Sequence, residues 1–93
     1  MPETRTVDVV VRGRLQGVGF RAWTQHQAQL HGLTGQVRNL PDGAVAATLS
    51  GPPDAVAAML KAMNRGPQAA SVTDVSVAEA AQPERFRDFT VRD

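Results

Sequence analysis

In "TVDVVVRGR", residues 6–14, Val7, Val9 and Val11 alternate with Asp8, Val10 and Arg12. The period is two and both faces carry apolar residues, which predicts a strand in the interior of a sheet. Beyond Gly17 and Gly19 the period changes. Phe20, Thr24, Ala28 and His31 fall on one helical face with Trp23 and Gln27 beside them, while Gln25, His26 and Gln29 are expected on the wet side. Gly32 is placed to stop this helix. "TGQVRN" predicts a short second strand. Leu40-Pro41-Asp42-Gly43 then has proline and glycine where a type I turn with a hairpin bulge needs them. "AVAATLS" predicts the returning third strand. Across 54–64, Val56, Met59, Leu60 and Met63 recur at helical spacing as a core stripe, behind a proline that suits the first helical turn. Gly66-Pro67 ends that helix; Val72, Val75 and Val77 predict a fourth strand and "FRDFTVR" a last short one.

The order β-α-β-β-α-β with a short extra strand is the split βαβ, or ferredoxin-like, arrangement. The expectation is one α+β domain over 1–93, an antiparallel sheet of four to five strands with two helices on one face. In this arrangement the first two strands run parallel and the third lies antiparallel between them, so their C-terminal ends share one rim of the sheet. "LQGVGFR", residues 15–21, follows the first strand, and Arg38-Asn39 closes the second. Arg21 and Asn39 are therefore expected to face one another across a cleft. By analogy with open α/β sheets, the C-terminal ends of strands are where ligands bind.

Composition narrows the chemistry. Ninety-three residues supply one modest core, and a net charge of +1 with 42% hydrophobic residues fits neither disorder nor a strong nucleic-acid field. No run is apolar enough to span a membrane, and "MPETR" lacks signal-peptide character, so a cytoplasmic protein is expected. Cysteine is absent, which excludes thiol chemistry, cysteine metal sites and intrachain disulfides. His26 and His31, five apart, are poorly placed to share a metal on one helical face. Ser50 and Ser71 have no evident His–Asp partners. Asp42 is explained by its turn, Trp23 reads as core, and Arg38 reads equally as a cleft charge or a solvated strand residue.

The glycine seam matches G-x-G-x-x-A through Ala22, a degenerate dinucleotide fingerprint. Its context excludes that reading, because the chain is too short for paired βαβαβ halves and Asp42 sits in a turn. An anion cradle fits better. Backbone N–H groups from Gln16, Gly17, Val18, Gly19 and Phe20 can converge on a phosphate at a helix start, and Arg21 can add a permanently charged fork.

"GRLQGVGFR" resembles the signature of the acylphosphatases. "LTGQVRNLPDGAV" is similar to the family's second motif, and "GPPDAVAAMLKAMNRGPQAASV" and "FRDFTV" resemble its remaining blocks in order. The resemblance covers nearly the whole chain. It implies a ferredoxin-like fold and hydrolysis of small acyl phosphates to a carboxylate and inorganic phosphate, without metal or cofactor. It further implies that Arg21 binds the phosphoryl group, that Asn39 positions the attacking water, and that the amides of 16–20 complete the cradle. A monomer with no nucleic-acid or membrane partner is expected. Gln36, Ala46 and His31 depart from the family pattern, where tryptophan, an acidic residue and leucine are frequent. Two other classes compete. A phosphate or carbamoyl-phosphate binding module would use the same cradle without turnover, yet has less reason to keep Asn39. An RNA-binding module of this fold needs aromatics on its central strands, and strands one and three have none.

Overall fold

A computed structural model describes residues 3–80 and 85–92. The elements, in chain order, are β1 (Arg5–Arg14), α1 (Phe20–Leu30), β2 (Thr34–Asn39), β3 (Val45–Gly51), α2 (Pro53–Arg65), β4 (Ser71–Glu79) and β5 (Phe89–Arg92). They form one five-stranded sheet in the order β4-β1-β3-β2-β5. β3 pairs antiparallel with both β1 and β2, so β1 and β2 run parallel, and β4 pairs antiparallel with β1. This is the ferredoxin-like α+β fold. One detail departs from an all-antiparallel sheet: β5 joins the far edge parallel to β2, with Val37 opposite Val91. β5 is also shorter than "FRDFTVR", since Phe86, Arg87 and Asp88 precede the strand.

The odd-numbered positions of the first three strands build the core. Val7, Val9, Val11, Val37, Val45 and Leu49 are each at most 1% exposed, and they meet Phe20, Ala28, Val56, Met59 and Met63 from the helices. α1 covers β2 and β5, and α2 covers β1, β3 and β4. The opposite face carries Asp8, Gln36, Arg38 and Thr48, with Thr48 Oγ1 donating to Asp8 Oδ1 at 2.8 Å. Apolar atoms thus take one face and hydrogen-bonding groups the other. Thr24, buried inside α1, donates its hydroxyl to the Phe20 carbonyl and leaves no orphan group.

Gln25 is the exception on α1. Expected on the wet side, it is half-buried and donates through Nε2 to the Phe89 carbonyl at 2.9 Å. The first residue of β5 is thereby fastened to the helix as well as to β2.

β4 shows how a broken period is repaired. Val72 and Val75 are three apart, a spacing that would put them on opposite faces of a regular strand. The pairing with β1 shifts between Arg12 and Gly13, where Asp74 opposes Arg12 but Val72 opposes Gly13. This bulge absorbs Thr73 and lets both valines pack against the core. Gly13 makes it possible: its φ is +144°, and a Cβ there would lie 2.0 Å from the Ser71 carbonyl oxygen. Substitution Gly13→Ala is expected to lower stability by about 2–4 kcal/mol, combining backbone strain with a clash between main chains. A urea titration should show the fall in midpoint at unchanged slope.

Candidate active site

Three strand ends and one helix start meet at a single rim. β1 ends at Arg14, β2 at Asn39 and β5 at Arg92, and all three point the same way because β1, β2 and β5 are mutually parallel. Val45 of β3 pairs with Val11 on one side and with Asn39 on the other, which aligns β1 and β2 at that level. A cleft of about 340 Å³ opens there. The turn residues Gln16, Gly17 and Gly19, then Phe20 and Arg21, form one side of its lining, and Asn39 contributes from the end of β2.

The turn has a conformation that the two glycines permit. Gly17 has φ +74° and Gly19 φ +70°, both left-handed, and a Cβ at either position would meet nothing within 4 Å. The requirement is thus one of backbone torsion, about 1–2 kcal/mol for any other L-residue. Val18 between them turns its side chain partly into the core, which anchors the loop. Gln16 reaches the β2–β3 hairpin through a long contact from Nε2 to the Gly43 carbonyl (3.4 Å).

Gly19 is also the N-cap of α1. No side chain caps this helix start and no acidic residue lies in its first turn, whereas α2 carries Asp54 in its own. The positive end of the α1 dipole therefore faces the cleft without an internal counter-charge in that turn. Arg21, half-buried on the first turn, donates from Nη1 to the Arg92 carbonyl at 3.1 Å. That bond ties the guanidinium to the end of β5. Asn39 is exposed at the cleft. The arrangement can hold an anion between a helix start and a cation, with an amide side chain beside it.

Arg21 and Asn39 are brought together as expected, and the turn residues 16, 17, 19 and 20 line the same cleft. Arg38 does not join them. It lies on the opposite sheet face with Gln36, away from the cleft. Ser50 bonds to Thr6, with 2.8 Å between their hydroxyl oxygens, far from the rim at the other end of β3. His31 closes α1, its Nδ1 lying 2.8 Å from the Gln27 carbonyl oxygen, while His26 is exposed. Among the described residues no three His, Asp or Glu side chains gather as a metal site would need. Gln36, Ala46 and His31 are all absent from the cleft lining. Sequence reasoning missed Leu15, Ala22 and Val91 in the lining, and the Arg92 carbonyl that holds Arg21. The apolar residues of "FRDFTV" were visible, but nothing local said that this strand would run beside β2.

The hairpin after Asn39 is locked from β1. Arg12 Nη1 donates to Asp42 Oδ2 at 2.6 Å, and Asp42 Oδ1 accepts from the Ala44 amide at 3.0 Å. Gly43 N–H closes the turn on the Leu40 carbonyl.

A family model for acylphosphatase matches residues 7–91. An acylphosphatase of Azorhizobium caulinodans is 47% identical over 88 residues, which is 95% of each chain. One from Trichormus variabilis is 51% identical over 86 residues, 92% of this chain and 84% of that one. The crystal structure of acylphosphatase from Bacillus subtilis matches with a TM-score of 0.91 at 35% identity, covering 96% of this chain and 99% of the other. These relatives place the chain among hydrolases of ferredoxin-like fold. Within that class it belongs to the acylphosphatase family.

The Arg12 hydrogen bond, followed by the Ala44 amide, holds the Asp42 carboxyl below its ordinary value of 3.8. A depressed carboxylate stabilises the fold above the unfolded pKa, and that contribution disappears as pH falls through the folded one. Arg12→Ala is therefore expected to lower the urea midpoint at pH 7 and to leave it close to wild type once Asp42 is fully protonated. Midpoints measured at both ends of that window check the sign.

Proposed function

We propose that the cleft hydrolyses small acyl phosphates to a carboxylate and inorganic phosphate by direct attack of a positioned water, with no covalent intermediate, metal or cofactor. The observation that carries this reading is the convergence of the uncapped helix start, Arg21 and Asn39 on one cleft. An acyl phosphate is a mixed anhydride whose leaving group is a carboxylate, so departure needs little help from a general acid. The protein must hold a dianion, offset charge on the phosphoryl oxygens and aim a water in line.

Amide N–H groups of 16–20 and the guanidinium of Arg21 carry the first two tasks. Anchoring on the Arg92 carbonyl restricts the guanidinium before substrate arrives, so less of its freedom is lost on binding. Asn39 accepts from the water through its amide oxygen and donates through its nitrogen. An amide is too weak a base to take the proton, so a phosphate oxygen of the substrate takes it. On this reading the chain is one domain over 1–93 and a cytoplasmic monomer. The net charge of +1 gives it no strong field for nucleic acid or a membrane surface.

The catalytic and merely binding versions of this cleft part company at Asn39. Metal-free assays with benzoyl phosphate are expected to show turnover by the wild type. Asn39→Ala should lose about 10²–10³ in kcat while still binding inorganic phosphate, as removal of one transition-state group does. Arg21→Ala should lose both. Phosphate binding by a wild type that hydrolyses nothing above background would reject catalysis in favour of a binding module. Rates that ignore the basicity of the phosphoryl group across a substrate series would reject the substrate as proton acceptor.

A further inference from the structure

We propose that Val91 and Ala22 form the seat of the acyl group, and that this seat selects apolar acyl phosphates, aliphatic or aryl, over small or polar ones. The inference rests on the acyl-phosphate reading above and names the substrate class within it.

A single exposed valine is ordinary on a protein surface. Val91 is set apart by its place. It is 39% exposed, and of the large exposed apolar side chains among the described residues, Leu30, Val77 and Val91, it alone lies in the cleft lining. Its strand position explains the exposure. Phe89, two residues earlier on the same face of β5, is covered by α1 and is 2% exposed. α1 begins only at Phe20, so the face of β5 emerges from under the helix at the rim, and Val91 stands there uncovered. Exposed Ala22, on the first turn of α1, lines the same cleft.

The polar groups of the lining come from the turn, Arg21 and Asn39. The turn 16–20 and Arg21 suit a phosphoryl group, and Asn39 suits a water. The side chains of Ala22 and Val91 offer only apolar atoms, beside the Arg21 guanidinium that the Arg92 carbonyl holds. In an in-line displacement the water and the leaving carboxylate sit on opposite sides of phosphorus. Val91 pairs with Val37, two residues short of Asn39, so the two positions differ by roughly 7 Å along the strand direction. That separation leaves room for a water at one end and the departing carboxylate at the other. An alkyl or aryl substituent would then cover Val91 and Ala22, removing apolar surface that a small acyl group leaves wet.

The test uses two substrates with the same phosphoryl group. The ratio of kcat/KM for benzoyl phosphate to that for acetyl phosphate is unaffected by the fraction of active protein, so a partly folded variant cannot imitate the effect. Val91→Thr keeps the β-branch that suits a strand and replaces a methyl with a hydroxyl. It is expected to lower the ratio about three- to tenfold, with the inhibition constant of inorganic phosphate held within about twofold. Ala22→Ser should move the ratio in the same direction by less. An unchanged ratio in both variants, with hydrolysis continuing, would overturn the seat and leave the acyl-phosphate reading standing. Loss of phosphate affinity at a constant ratio would also overturn it, by showing that Val91 supports the cradle instead. Hydrolysis of neither substrate by the wild type would overturn the seat and the reading beneath it together.

Discussion

Everything at the cleft depends on the level at which β3 holds its two neighbours. Val45 sits between Val11 and Asn39, and the pairings on both sides continue without a break to the far end of β3. Side chains alternate strictly, so slipping β2 by one residue would carry Asn39 to the open face and swing Arg38 into its place. What prevents the slip is burial. Val37, Val45 and Leu49 lie on the same face as Asn39 and are almost wholly shielded from water, and a one-residue shift of β2 would turn Val37 out of the core. Core packing therefore aims a polar side chain that has no part in the core. The same logic reaches Val91, whose register partner is the buried Val37.

Charge is arranged with the opposite economy. A side-chain cap typically contributes about 0.5–2 kcal/mol to a helix, and α1 starts without one while α2 has an acid in its first turn. The helix that opens on the cleft is thus left incomplete, and an anion placed there would supply the missing partner. Strain in the turn is kept local because Gly17 and Gly19 adopt left-handed torsions that other residues resist. Departures from local optimum of this kind are expected where a surface binds something. The remaining capping is conventional: Pro53 opens α2, and Gly66 closes it with its N–H on the Ala62 carbonyl.

Periodicity made the scaffold legible because burial on one face leaves a direct trace in sequence. The valines of β1 and the Val56, Met59 and Met63 stripe show their elements within a residue or two of the observed bounds. Arg21 and Asn39 were legible for a different reason, since a glycine pair before a helix and a strand-ending asparagine sit in recognisable motifs. Contacts whose two halves lie far apart left no such trace. Gln25 looks like any solvent-side glutamine until β5 presents the Phe89 carbonyl to it. Asp42 looks sufficient for its turn until Arg12 arrives from β1. The four residues of β5 carry no period long enough to declare a direction or a partner, so Val91 could not be placed. Val72, Val75 and Val77 marked their strand but not its bulge, which is set by a glycine on the opposite strand.

The tether between Arg21 and the Arg92 carbonyl closes a span of 71 residues, and that between Gln25 and Phe89 one of 64. The glycine turn and β5 are separated by four of the other elements of the chain besides α1. Until β5 docks beside β2, Arg21 lacks the carbonyl that holds it and the cleft lacks Val91. Without β5 in place, the glycine turn stands without the Val91 side of the cleft. Contacts of such long range are slow to form, because a large loop must close before they return any stability. The cleft is therefore a product of tertiary pairing and not of the glycine turn alone.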